Sequence, residues 1–296
     1  LQGGPITYND IWNGERYDAR EEADIAGWSD YGFNESGWST PSQISYSGTI
    51  NAQLEAVQVT EDISPVSVTG VAAQGGPAGY TWCANEDQSY YFDTTVDVAY
   101  GADGSYNYLY GVTGTITFDN DTFGDPIYGV AKAGYYYDGS PTNIYVYDMG
   151  VNMVGWVKLT VSGAAGTLVR LRFAENINPD GTINVTDLRS AEQTDTYTLK
   201  GSGTEVWEPR FTHHGFRYVE ITGFPGTPTL SNILGRVIHS NYPMESSFTC
   251  SNDLINDIYG MYARSQRGNS VSIPTDCPQR DERQGWGGDA VVTSKA

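Results

Sequence analysis

Positive charge is scarce in this sequence. Only 16 Lys and Arg stand against 36 Asp and Glu in 296 residues, a formal charge of −20. Such a surface repels phosphate backbones and anionic bilayers, so nucleic acid and membranes are excluded as partners while neutral glycans stay compatible. Cysteine is scarce too. Cys83, Cys250 and Cys277 cannot all pair within one chain, and with neither a CxxC nor a His–Cys cluster a structural zinc site has no support. At most one disulfide can form; Cys250 with Cys277 is the sequence-nearest pair, and three buried free thiols are the alternative reading. No apolar run approaches the ~18 residues of a membrane helix, and no signal peptide is present. The chain opens at Leu1 without Met, as a processed or trimmed product would.

What the chain does hold is Gly (35 residues), Tyr (22) and a 39% hydrophobic content. Many aromatics and few lysines are the profile of a β-rich, secreted protein with cores large enough for two or three domains. Three glycosylation sequons, at Asn34, Asn120 and Asn184, would matter only in a eukaryotic secretory source.

Along the chain, residues 1–47 read as short strands and loops rich in tryptophan, without helical periodicity. Val57 and Val59, then Val66 and Val68, alternate as two strands broken at Pro65. Residues 70–140 change character: Tyr-rich strands, a Gly-Ala-Asp-Gly hairpin turn at 101–104 and almost no positive charge suggest an inserted β module. Strands resume around 144–147 and 154–161, where Val157, Leu159 and Val161 share one face. Val169, Leu171 and Phe173 alternate with Arg170 and Arg172, and the region up to about 238 reads as an antiparallel sandwich. His213 and His214 fall inside that strand pattern and read as packing groups. Then the period switches. Ser251 can cap a helix over 251–267 with an apolar stripe of Leu254, Ile255, Ile258, Met261 and Tyr262. Such a stripe requires a partner, so it is expected to be buried against later helices or another chain, and a helical domain is expected to begin near 245 and be cut off at Ala296.

Chemistry concentrates in TDCPQRDERQGWGGD, residues 275–289. Asp276, Asp281, Glu282 and Asp289 supply carboxylates, Arg280 and Arg283 cations that can tune an acid, and Trp286 an aromatic wall. Glycosidic cleavage needs a proton donor, a second carboxylate and commonly an aromatic surface for the sugar. On composition alone, a solvated and self-neutralising charge cluster is the competing reading.

The run SQRGNSVSIPTDCPQRDER (265–283) resembles glycoside hydrolase family 78, the α-L-rhamnosidases, at the start of their (α/α)6 barrel. Upstream, YDMGVNMVGWVKLTVSG (147–163), LRFAENINPDGT (171–182), TDTYTLKG (194–201) and EPRFTHHGFRYVEITGFPG (208–226) resemble the preceding β-sandwich, and NGERYDAR (13–20) the end of the N-terminal β-domain. The resemblance implies a mainly β chain: a β-domain remnant at 1–47, a sandwich at 48–69 plus 141–238, an inserted β module at 70–140, and the first helices of a truncated (α/α)6 barrel at 239–296. It implies Glu282 as the general acid, Asp276, Arg280 and Asp289 as holders of the rhamnose hydroxyls, and Trp286 as a pocket wall. It further implies an inverting hydrolase acting on terminal α-L-rhamnose of glycans or glycosides, needing no redox or metal cofactor, with its water-activating base a Glu late in the barrel, and with the remainder of that barrel or another chain as partner. The rival expectation is a non-catalytic secreted glycan-binding or structural β protein.

Overall fold

The computed structural model describes residues 4–40, 42–45, 47–48, 56–71, 76–77, 80–139, 143–242 and 247–288. In chain order the strands are β1 (Ile6–Asp10), β2 (Gly14–Asp18), β3 (Val57–Ile63), β4 (Ser67–Val71), β5 (Thr81–Asn85), β6 (Gln88–Ala102), β7 (Ser105–Phe118), β8 (Ala133–Tyr137) and β9 (Ile144–Ser162). They continue with β10 (Leu168–Ala174), β11 (Asn176–Ile177), β12 (Ile183–Asn184), β13 (Thr194–Thr198), β14 (Thr204–Trp207), β15 (His214–Thr222) and β16 (Ile233–Ser240). A short helix α1 (Asn120–Phe123) sits in the insertion, and α2 (Asp253–Gly268) leads to the paired two-residue strands β17 (Ser270–Val271) and β18 (Ile273–Pro274).

One curled sheet carries the chain, in the order β1-β2-β13-β10-β15-β9-β16-β3, with β4 and β14 also paired to β9. The 19-residue β9 makes this possible, because it changes neighbours part-way along. Residues 144–148 pair with β4, and residues 155–159 pair with β16. At the change, Gly150 has φ +79, a conformation in which an L side chain would be strained. Asp148 secures the bend by accepting the Gly150 amide at 2.7 Å and the Arg217 guanidinium at 2.8 Å through each carboxylate oxygen. The curl buries alternate residues of β9 (Val157, Leu159, Val161) against Leu171, Phe173, Tyr197, Phe216 and Ile221. The period of two read from the sequence is thus the inner face of this sheet.

The hairpin β1–β2 joins the same sheet, β2 running parallel to β13 with Tyr17 opposite Tyr197. Its side chains complete the sandwich core: Tyr17 stacks on Tyr197 with centroids 5.7 Å apart. Residues 19–25 form a 3₁₀ segment capped by the Asp18 carboxylate, where no helical element was expected.

Residues 81–137 make a second sheet, β5-β8-β6-β7, around a separate core that includes Phe92, Val98, Tyr100, Phe118 and Tyr136. Its β6–β7 turn holds Asp103 and Gly104 at φ +49 and +85, the positive pair a two-residue hairpin of this hand needs. The arginine face of β10 meets this module. Arg170 hydrogen-bonds the Tyr136 hydroxyl and lies over its ring at 4.6 Å, while Arg172 lies over Trp82 at 4.6 Å. Every residue of β10 is therefore buried, including those the alternation assigned to a polar face.

Helix α2 forms close to the expected span, capped by Asn252 accepting from the Leu254 amide. Its packed side is not the apolar stripe. Gly268 approaches β9 so closely that a Cβ would lie 2.7 Å from Val154, and Arg264 pairs with Glu61 at 3.4 Å. Leu254 and Met261 are 66% and 62% exposed, and Ile255, Ile258 and Tyr262 are exposed as well. Within this chain the helix docks by its small and polar side, and the stripe is left open to the cover expected from later helices or another chain.

Candidate active site

The loop from Thr275 to Gly288 leaves β18 and returns on itself. Thr275 bridges Gly285, and between them the Asp276 amide donates to the Gln284 carbonyl at 3.1 Å. The Gln284 amide donates back to Asp276 Oδ1 at 3.0 Å. This closed loop projects the motif's side chains from a fixed base.

Arg283 supplies that base. Its guanidinium is buried and donates to the carbonyls of Ile11, His213 (2.6 Å) and Gln279 (3.2 Å), and to Gln193 Oε1 (2.9 Å), while its Nε reaches Arg280 O (3.0 Å). Four stretches of chain are tied to one side chain. Burial lowers the guanidinium's pKa to about 10. The residue itself sits at φ +56, which turns its side chain inward and away from its neighbours. The Trp12 indole adds a bond to the Glu282 carbonyl at 3.2 Å.

On the outer side, Arg280 bridges two carboxylates: Nε to Glu282 Oε2 at 2.5 Å and a terminal nitrogen to Asp276 Oδ2 at 3.3 Å. Its pKa is raised, first by the bond to Glu282. Arg189, from the loop after β12, approaches the same Glu282 oxygen at 3.2 Å. Asp281 approaches the same Arg189 nitrogen at 3.8 Å and holds that loop, accepting from Ser190 Oγ at 2.5 Å; this bond, the first cause, lowers its pKa. Burial, the largest single influence on Asp276, pushes it up, yet its carboxyl ends below the ordinary range. Hydrogen bonds from the Cys277 thiol and the Gln284 amide favour its charged form.

Asp276, Cys277 and Glu282 can bring one ligand atom each to within 4.8 Å of one another, the one such group among the described residues that could hold a metal ion. Arg280 contacts both carboxylates of this group. Burial raises the Cys277 thiol.

Of the residues singled out from the sequence, Asp276, Arg280 and Glu282 form one cluster. Trp286 lies on the same loop, half exposed and available as a stacking surface. Asp289 lies outside the described residues. The Cys250–Cys277 disulfide is not formed: Cys277 is buried beside Asp276, whereas Cys250 sits at the start of α2, where its amide donates to Asn256. Cys83 is also a buried free thiol. Asn34 and Asn120 are exposed, and Asn184 is half-buried in β12. His214 is fully buried with Nε2 at 3.1 Å from both Asp195 oxygens, a packing role as expected. Sequence reasoning missed Arg189, Ser190, Trp12 and Gln193. Their contacts with the motif span 90 to 270 residues, and no local period marks a loop arginine as a partner.

Comparison with known proteins settles the family. The bacterial α-L-rhamnosidase concanavalin-like domain matches residues 139–239, the six-hairpin glycosidase domain of the same enzymes matches 243–296, and their N-terminal domain matches 1–62. The chain belongs to the α-L-rhamnosidase family. An α-L-rhamnosidase of Streptomyces avermitilis is 56% identical over 149 residues, half of this chain and 14% of that protein. The crystal structure of the Streptomyces avermitilis α-L-rhamnosidase complexed with L-rhamnose superposes with a TM-score of 0.69 at 37% identity, over 98% of this chain and 22% of that one. The α-L-rhamnosidase structure from Dictyoglumus thermophilum gives 0.68 at 34% identity, over 99% and 25%. The chain thus spans a quarter or less of the length of these relatives.

Proposed function

We propose that this chain forms part of an inverting α-L-rhamnosidase in which Glu282 is the general acid. The observation that carries the reading is the Asp276–Arg280–Glu282 cluster, built on a loop fixed by Arg283 and carrying an open indole at Trp286. Glu282 would give its proton to the glycosidic oxygen as the bond from the anomeric carbon to that oxygen breaks. Asp276 and Arg280 would hold ring hydroxyls, with Asp289 joining them, and Trp286 would flank the sugar. Water would attack the opposite face and lose its proton to a second carboxylate.

Asp276 cannot be that base. Inverting enzymes leave roughly 6.5–9.5 Å between their carboxyl groups to seat the water. Asp276 approaches Glu282 to within 4.8 Å and shares Arg280 with it. We therefore place the base outside this segment, and propose that the exposed stripe of α2 packs against further helices of the six-hairpin domain. The 296-residue chain alone is then expected to bring sugar-binding groups without turnover.

The test is a chimera in which this chain replaces the matching segment of the Streptomyces avermitilis relative. Hydrolysis of an aryl α-L-rhamnoside followed by NMR should show β-L-rhamnose as the first anomer released. Release of the α anomer would contradict inversion, and turnover by the isolated chain would put the base within it.

A further inference from the structure

Where the inserted module meets the sandwich there is a cleft of about 280 Å3, and no residue of the 274–288 loop lines it. Its walls come from Trp82 of β5, Arg172 of β10, Glu220 of β15, and Asn178, Asp180 and Thr186 around the β11–β12 hairpin. We propose that this cleft binds one neutral pyranose unit of a glycan, at a site separate from the motif loop.

Arg172 provides the first reason. It is only 7% exposed, one terminal nitrogen donates to Glu220 at 3.2 Å, and its guanidinium plane lies over the Trp82 ring at 4.6 Å. Its Nε–H is buried without a hydrogen-bond partner among the described residues. Arg172 thus lines the cleft as a guanidinium held in place by an ion pair and an aromatic ring, with its hydrogen-bonding capacity only partly used.

The chemistry of the wall selects the occupant. Trp82 offers apolar aromatic surface, the complement of a sugar's C–H face, while carboxylates, amides and a hydroxyl surround it for the polar rim. Arg172 is already neutralised by Glu220, and Asp180 adds a further negative charge, so the wall carries no net attraction for an anion. A uronate, a phosphate or a sulfate would meet repulsion, and a neutral polyhydroxylated ring would not. The volume falls just below the roughly 300–1,000 Å3 of clefts for drug-sized ligands, which suits a single ring rather than a nucleotide or peptide. Both walls are needed, since Trp82 belongs to the insertion and Arg172 to the sandwich. The insertion would thereby contribute to glycan capture.

Calorimetric and ligand-observed NMR titrations of the 296-residue chain would test this with L-rhamnose, D-galactose and D-glucose as neutral probes and D-galacturonate as the anionic one. The expected result is saturable binding of at least one neutral sugar at about millimolar strength, weakened about tenfold or more by Trp82→Ala and by Arg172→Lys. In a chain carrying both Arg280→Ala and Trp286→Ala, which strips the motif loop, this saturable component should remain. If either cleft variant melts early, Trp82→Phe and Glu220→Gln, chosen for an unaltered melting midpoint, carry the same comparison. No saturation with any neutral sugar, binding lost with the motif-loop variants instead, or tightest binding of D-galacturonate would each overturn the proposal.

Discussion

The sandwich core and the segment from 247 onward are built on opposite terms. In the sandwich, the stripe of Val157, Leu159 and Val161 is covered from all sides, and even the arginine face of β10 is capped by a second module. In α2, an equally regular apolar stripe faces outward, and the helix is held by Gly268 and Arg264 instead. The motif loop lies between these two conditions: its inner side is fastened to the sandwich through Arg283, and its outer side is an open charge cluster. The difference teaches that hydrophobic periodicity reports which face an element would bury, and that a covering partner decides whether it does.

Core truncation should give the largest difference. Leu159→Ala removes a fully buried side chain and should cost about 2–5 kcal/mol in denaturant unfolding, whereas the same truncation at Ile258 should cost less than about 0.5 kcal/mol in this chain. Equal losses would erase the contrast. In the chimera, where further helices are proposed to cover the stripe, Ile258→Ala should rise toward the core value.

Arg283→Met should come next, at roughly 2–4 kcal/mol, because several carbonyls lose their donor in a buried place. Hydrogen exchange should show the loss concentrated in 275–286 and in the Trp12 turn, with β9 and β10 still protected. Uniform loss across the sheet would show that Arg283 supports the whole sandwich rather than the loop.

How far the sequence foretold this can be judged from the same residues. Val157, Leu159 and Val161 were legible because a strand with one buried face has a fixed period of two. Asp276, Arg280, Glu282 and Trp286 were legible as a dense local cluster with a family resemblance. The inward turn of Arg283 was not legible, since it depends on a positive φ and on carbonyls from distant stretches. Nor was the burial of Arg170 and Arg172, which an alternating pattern assigns to solvent until an insertion folds over them. The stripe of α2 was legible as apolar, and within this chain it is open, its expected cover being later helices or another chain.

A smaller effect concerns acid stability. Burial, with the nearby Arg283 and His214, depresses His213 from 6.5 to about 3. The unfolded chain therefore binds the extra proton first: this stability is complete above about pH 6.5 and is lost as pH falls toward about 3. Glu15, raised by burial, acts in the opposite direction. The melting midpoint should decline from pH 7 to 4, and His213→Gln should flatten that decline. An unchanged slope would remove His213 from the acid response.

The central claim is that the loop tied down by Arg283 presents Glu282 as a proton donor, and leaving-group dependence tests it most directly. In the chimera, Glu282→Gln should lower turnover of a flavonoid rhamnoside, whose leaving oxygen needs a proton, by a factor of about 10³ or more. The loss should be much smaller on a nitrophenyl rhamnoside, whose leaving group departs unaided, and rhamnose should still bind. Equal losses on both substrates, or unchanged turnover, would contradict the account.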